Sequence, residues 1–328
     1  MKKIIPKFFA SLLVVLLVAT FASCSTENEQ SDDFSIVSTI FAPYDWVKQI
    51  LGENIGNYSL SFLTDTGVDL HNFQPSVSDI ARISTSDMFI YVGGHSDAWV
   101  EDVLRNATNP NMIVINLMEV LGLEGHHYCD HDHNHHHDHD HNHHHDHDHD
   151  IENDEHIWLS LKFAQVLVYV IADALVQLSP ANAAQYQANR DAYMAELADL
   201  DAQYRAMVYA APGNKILVAD RFPFAHLVSD YGIYYYAAFP GCHAETEASF
   251  TTVAFLIDRV NEHSMRSILV TEGSDQALAR TIARDANHTP QILVLDSMQS
   301  ISQSDVQGGI TYLGIMQANL AVLREALS

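Results

Sequence analysis

The sequence predicts an α/β fold of two lobes with parallel, helix-covered sheets, and three observations predict it. Apolar, β-branched runs alternate with segments of helical spacing over residues 34–116, and the same alternation returns over 213–328. Strands separated by helices pair in parallel and are covered by those helices. At 328 residues the chain is too long for one small core, which makes two domains the natural division. Between the two alternating regions, residues 180–209 have almost no strand character. Tyr186, Tyr193, Leu197, Leu200, Tyr204 and Met207 recur there at sevens, fours and threes, one face of a long helix with no internal Gly or Pro. Periodicity leaves two placements open for it: a solvent-side helix of one lobe, or a rigid strut between lobes with a cleft beside it.

The elements follow in order. Residues 1–24 read as an export signal: Lys2, Lys3 and Lys7 precede an apolar run over 8–22 that is shorter than the roughly 20 residues a spanning helix needs. Phe21-Ala22-Ser23-Cys24 resembles a bacterial lipobox with Phe in the usual Leu place, so Cys24 is the expected lipidated first residue of the mature chain. A polar tether, 25–33, follows. The N-terminal lobe, 34–179, carries expected strands at 34–40, 58–63, 88–92 and 112–116, with helices at 44–51, 99–105 and after Ser76, where Asp79 completes a first-turn cap. The apolar stretch 161–178 is interrupted by Lys162, Gln165, Asp173 and Gln177, and reads as a buried helix. After the linking helix, 180–212, the C-terminal lobe, 213–328, has expected strands at 215–219, 233–237, 267–270 and 291–295. Its expected helices are 224–231, 249–263, 276–287 and 312–326.

Composition narrows the partners. Asp and Glu outnumber Lys and Arg by 42 to 16, a net charge of −26, with 48% apolar residues to build a core. Such a chain repels nucleic acid and attracts cations. With Cys24 lipidated, Cys129 and Cys242 remain; they make one disulfide conceivable without establishing it.

The strongest chemical signal is a low-complexity stretch at 126–150 holding fourteen of the 21 histidines. These are His126, His127, His131, His133, His135, His136, His137, His139, His141, His143, His144, His145, His147 and His149, and the run HDHNHHHD occurs twice, at 131–138 and 139–146. Nothing apolar interrupts the stretch from His131 onward, so it cannot form a core and is expected to be a mobile loop. Neutral imidazole suits zinc, copper and nickel, and the aspartates add charge attraction. A flexible series of ligands loses entropy on ordering, so weak, numerous metal contacts are expected.

A tight site needs ligands on rigid elements. His71 lies in a turn-rich loop between a strand and the capped helix, and His156 just precedes another helix; loops at strand ends are where α/β proteins place ligands. His263 and His288 sit at helix ends, where surface histidines are ordinary, and His95 after Gly93-Gly94 is ambiguous. Asp220, Asp296 and Glu272 each follow a buried strand. Four ligands drawn from two lobes would close a tetrahedral site with no open position, an arrangement that holds a metal without turning over a substrate.

These residues resemble the metal-binding solute-receptor family of ABC transporters, which serve zinc and manganese uptake. The resemblance rests on Val68-Asp-Leu-His71 followed by Pro75-Ser-Val-Ser-Asp79, and on His156-Ile-Trp-Leu-Ser160. It continues through the Asp220 loop leading to Tyr231-Gly232, Glu245-Thr-Glu247-Ala-Ser249, Thr271-Glu272 and Leu295-Asp296-Ser297. It implies two α/β lobes joined by a long rigid helix, with the metal in the interlobe cleft, and His71, His156 and Asp296 as ligands. The family's remaining ligand has no clean match: Asp220 is the choice, with His243 and Glu272 as substitutes. An acidic histidine-rich loop marks the zinc importers, whereas the two carboxylates make a harder site that also suits manganese.

The expected function is a lipid-anchored, exported, monomeric receptor that binds zinc outside the cytoplasm and passes it to a membrane permease driven by a separate ATPase. No GxxxxGK[ST] loop is present, so the chain itself is not expected to hydrolyse nucleotide. The alternatives are a manganese receptor of the same family, and a zinc-buffering surface protein or adhesin without transport. A zinc hydrolase is disfavoured because no HExxH pair occurs, and no enzymatic activity is expected. Ligand histidines must be neutral, so affinity should fall as pH drops through the imidazole range.

Overall fold

The computed structural model describes residues 34–123, 154–240 and 248–328. Cys24, Cys129, the stretch 126–150, Cys242 and His243 therefore lie outside the described residues. Two four-stranded sheets form, with every strand pair parallel. β1 (Phe34–Ser38), β2 (Tyr58–Phe62), β3 (Met88–Tyr91) and β4 (Ile113–Asn116) stand in the order β2-β1-β3-β4. β5 (Lys215–Phe222), β6 (Tyr234–Pro240), β7 (Ser267–Thr271) and β8 (Gln291–Leu295) repeat that order as β6-β5-β7-β8. In each sheet the chain reverses direction of travel beside its first strand, which opens a crevice at the carboxyl ends of the strands.

Helices α1 (Phe41–Leu51), α2 (Val77–Thr85) and α3 (Val100–Leu104) link the strands of the first sheet, α4 (Leu117–Val120) follows its last strand, and α5 (Leu161–Leu178) packs against α1. α6 (Ala183–Ala210) leads to the second half, where α7 (Ala225–Tyr231), α8 (Phe250–Glu262), α9 (Ala277–Asp285), α10 (Gln303–Gln307) and α11 (Tyr312–Ala326) follow. The expected cap of α2 is present: Ser76 Oγ accepts the Asp79 N–H, and the Asp79 carboxylate accepts the Ser76 N–H at 2.9 Å. Ser302 and Asp305 repeat this reciprocal cap on α10, following the Ser-x-x-Asp pattern of its sequence.

α6 is a strut. Its 28 residues span about 42 Å at 1.5 Å per residue, and the six residues of the predicted face are all buried, joined by Asp201. Near its start, Tyr186 shares a 2.7 Å hydrogen bond with Tyr58, and Asn189 donates to the Ile50 carbonyl at 2.8 Å. Near its end, the Tyr204 hydroxyl donates to the Met316 carbonyl at 2.6 Å and its ring stacks on Tyr231, whose hydroxyl donates to Asp201. One helix thus bonds the first half at one end and the second half at the other.

The core does not break between the halves. Trp46 meets Tyr312 edge to face at 5.2 Å, the Tyr312 hydroxyl donates to the Trp158 carbonyl, and all three belong to one buried cluster with Leu197 and Leu269. α5 departs from its expectation as a buried helix: Leu161, Leu167, Val168, Ile171 and Leu175 are buried, but Val166 and Tyr169 are nearly half exposed. It is the one helix among the described residues long and apolar enough to cross a membrane, and its inner face packs on the protein core.

Asp220 also departs from expectation. It does not follow β5 but lies inside it, because the strand runs on to Phe222. The register slips between Val218 and Arg221, so an extra residue is accommodated there as a bulge.

The shared core sets a test. Leu197→Ala should cost about 2–5 kcal/mol, the usual loss for a buried Leu, and urea unfolding should remain one transition reported alike by probes in both halves. Two separated transitions would contradict a continuous core.

Candidate metal centre

The two histidines singled out in the sequence meet. His71 and His156 are 85 residues apart, yet their Nε2 atoms approach to 3.1 Å with the rings edge to face. His156 is almost fully buried and the His71 side chain is only 6% exposed.

Each histidine is fixed by a carboxylate two residues before it. The Asp69 side chain accepts the His71 N–H at 2.9 Å and caps the short 3₁₀ turn Leu70–Asn72. Asp154 accepts the His156 N–H at 2.8 Å. The Asp-x-His pattern, Asp69-Leu-His71 and Asp154-Glu-His156, was thus a readable signal for both positions.

The far ring nitrogens are held as firmly. His156 Nδ1 lies 2.8 Å from Asp154 Oδ1, so it carries the proton and donates to the carboxylate. His71 Nδ1 lies 2.7 Å from Ser96 Oγ, and that hydroxyl in turn donates to Glu155. With its hydrogen committed to Glu155, Ser96 Oγ accepts from His71 Nδ1–H. Both imidazoles are therefore Nδ1–H tautomers, and both Nε2 lone pairs point at the same place. Burial by itself would raise the Asp154 carboxyl, but His156 and His226 beside it, with the hydrogen bonds from His156, hold it below the usual carboxylate range.

Asp154, Glu155, Ser96 and Asp69 were not among the predicted site residues. Their positions follow from topology: Ser96 lies beyond the carboxyl end of β3, His71 beyond β2, and the 154–156 segment beyond β4. Gly93-Gly94 offered a clue to Glu155. Gly94 has φ +74°, and a Cβ there would lie 2.5 Å from Glu155 Oε1.

The second half meets this pair through the loop after β8. Asp296 Oδ1 accepts the Met298 N–H at 2.7 Å, and Met298 has a left-handed φ of 62°. Glu272 accepts from Ser297 N–H, Ser297 Oγ and Gln299 N–H, at 2.7, 2.6 and 3.1 Å, so its carboxylate organises this loop from below. Burial, then the Asp296 charge, raises Glu272 above its ordinary range; burial also raises Asp296. Side-chain contacts fasten the loop to the first half: Trp158 Nε1 donates to the Ser297 carbonyl at 2.9 Å, and Gln299 Nε2 donates to Asp69 Oδ1 at 3.1 Å and lies 3.1 Å from His156 Nε2.

The four-residue cage expected from the sequence is not assembled. Among the described residues no group of three or more His, Cys, Asp or Glu side chains stands in a metal-holding cluster. Asp220 is held in the bulged strand, where its carboxylate accepts the Arg221 N–H, and Glu272 turns to its own loop. The substitute His243 lies outside the described residues. His288 bonds the Met265 carbonyl, and His263 stacks on Tyr236.

Two parallel four-stranded sheets bridged by a long helix, with a histidine pair beyond the strands of the first, define a two-lobed binding protein. Residues 36–326 match the family described as zinc-uptake complex component A, periplasmic, and the chain belongs to that family. It is 29% identical over 319 residues to the zinc-binding lipoprotein AdcA of Streptococcus pneumoniae, covering 96% of this chain and 60% of AdcA. The chain thus spans about 60% of the length of its AdcA relatives. It is 29% identical over 316 residues to the high-affinity zinc uptake system protein ZnuA of Bacillus subtilis, covering 95% and 94% of the two chains. The fold matches the Zn(II)-bound ZnuA-like domain of S. pneumoniae AdcA with a TM-score of 0.69 at 24% identity, over 90% and 99% of the chains. The metal-dependent lipoprotein YcdH of B. subtilis gives 0.72 at 24% identity, over 90% and 100%.

Gly94→Ala tests the support behind His71. Left-handed strain and collision with Glu155 should together cost about 1–3 kcal/mol in urea unfolding. A loss below about 0.5 kcal/mol, the range of a neutral surface change, would show that Glu155 is not held by this close approach.

Proposed function

We propose that this protein is the extracytoplasmic zinc receptor of an ABC importer, delivering the ion to a membrane permease powered by a separate ATPase. The separation of the two histidine Nε2 atoms, 3.1 Å, carries the reading. Zinc–imidazole bonds of 2.0–2.1 Å at a tetrahedral angle put the two nitrogens about 3.3 Å apart. A cation between two converging Nε2 lone pairs at such a distance is attracted by both. Their reverse sides already have the hydrogen-bonded carboxylates that orient zinc-binding histidines and make them better donors.

His71 and His156 are the soft end of the site, and Asp296 supplies charge from the second lobe. A cation entering beside Asp296 favours its ionised form, which burial disfavours. Imidazole favours zinc over manganese in the Irving–Williams order, and the relatives AdcA and ZnuA are by name a zinc-binding lipoprotein and a high-affinity zinc uptake protein. Residues 34–179 and 213–328 are the lobes and 180–212 the link, with the cleft at the carboxyl ends of both sheets. Cys24 is the lipid anchor, the receptor acts as a monomer, and the stretch 126–150 gathers zinc near the cleft. Binding, release and transfer need no catalytic step in this chain.

Isothermal titration checks the assignment. His71→Ala or His156→Ala should each abolish the one high-affinity zinc equivalent; a titration indistinguishable from the parent protein would refute the site. Removing residues 126–150 should take away several weak equivalents and leave the tight one. Loss of the tight equivalent would instead make that stretch the receptor.

A further inference from the structure

The segment that carries His156 follows the first sheet in the chain, yet a helix of the second half holds it. His226, in the first turn of α7, is buried at 4% exposure, and its Nε2 lies 2.8 Å from the Asp154 carbonyl. A carbonyl oxygen only accepts, so the His226 proton is on Nε2 and is donated to it. The same nitrogen lies 3.9 Å from Asp154 Oδ1, the oxygen that accepts both the His156 N–H and the His156 Nδ1–H. Phe163 stands edge to face against the His226 ring at 5.3 Å. At the far end of α7, Asp230 accepts from Ser160 Oγ at 2.6 Å and pairs with Lys162 Nζ at 2.9 Å. One short helix thus grips the segment on both sides of His156.

The grip matters because of what Asp154 does. Its carboxylate holds the His156 ring, and a carboxylate is placed only as well as the backbone that bears it. Residues 154–156 belong to neither helix nor strand, so no repeating ladder fixes that backbone, and His226 fixes the Asp154 carbonyl instead. The next residue is held from the other side: Glu155 accepts from the Ser96 N–H at 2.9 Å and from Ser96 Oγ. Consecutive residues 154 and 155 are therefore anchored to opposite halves, and the His156 ring is set by both. Without the His226 donor the carbonyl would need another partner, and a shift of the segment to supply one would carry the carboxylate with it.

We infer that His226 is a positioning residue for the zinc site: from the second half of the chain, through the Asp154 carbonyl, it fixes the carboxylate that aims the His156 imidazole. This inference rests on the zinc-receptor reading and deepens it. His226 acts through Asp154 and not as a ligand. A group that orients a metal-binding histidine shapes affinity without touching the ion, and His226 stands one bond further out than Asp154.

The test uses the full-length chain and chelator-buffered zinc titration. His226→Leu fills the space without a donor, and His226→Asn keeps an amide that is too short to reach the carbonyl. Both should weaken the tight equivalent about tenfold, the lower end of what losing a support behind a metal ligand costs. His226→Gln puts an amide N–H close to the place of Nε2–H, and should recover the parent affinity to within about threefold, the scale of a slightly imperfect hydrogen bond. Leu197→Ala, a core substitution on α6, should bind zinc as tightly as the parent. Equal weakening by His226→Gln or by Leu197→Ala would make the effect one of packing or general stability, and parent-like affinity in the leucine and asparagine variants would show that Asp154 needs no such anchor; each result overturns the inference. Where the leucine variant does not fold, the asparagine variant decides alone. If the parent chain shows no tight zinc equivalent, the receptor reading fails instead, which separates the two claims.

Discussion

Two imidazoles face each other through Nε2 because buried partners hold their protons on Nδ1. Asp154 does this for His156 directly, and Glu155 does it for His71 through Ser96. The two carboxylates are consecutive residues, so one short segment after the first sheet fixes both rings. That segment must pass close to the loop after β3, which is why Gly94 has no side chain there. Removing a partner would free the ring to flip or change tautomer, and the convergence would be lost.

The rest of the fold brings a second surface to this pair. Both sheets have the same strand order, and both place their loops at the carboxyl ends of the strands. α6 bonds each half at one end, and the core runs through from Trp46 to Tyr312. The loop after β8 approaches the histidines with polar contacts, through Trp158, Asp69 and His156. Hydrogen bonds of this kind have small net free energies and can exchange with a ligand at little cost, whereas the continuous apolar packing beneath cannot. A receptor that binds and releases an ion needs that division between a yielding rim and a firm base.

Much of this was legible in the sequence. Expected strands fall within a few residues of β1 to β8, because buried parallel strands are compact β-branched runs bounded by turns. The one-sided spacing of α6 announced its buried face down to individual tyrosines. His71 and His156 stood out by their place in loops at strand ends, where α/β proteins put ligands, and the structure brings their rings together. Ser96 and Gln299 carried no such signal: a serine and a glutamine acquire roles here only from what lies opposite them in space. Asp220 misled because a strand followed by a carboxylate looks like a strand end, and the bulge that lets β5 continue leaves no mark in composition. Glu272 does follow its strand, but position after a strand does not tell which way a carboxylate turns, and here it accepts bonds from Ser297. The histidine-rich stretch, the loudest feature of the sequence, lies outside the described residues, and the firmest geometry belongs to two quieter histidines.

Nitrogen NMR of the histidine side chains tests this account most directly, on uniformly ¹⁵N-labelled protein from which residues 126–150 have been removed. On adding one equivalent of zinc, the Nε2 resonances of His71 and His156 should both move to metal-bound positions while both Nδ1 atoms remain protonated. Zinc bound with either Nε2 unmoved, or with either ring coordinating through Nδ1, would contradict the convergent pair on which the receptor reading stands.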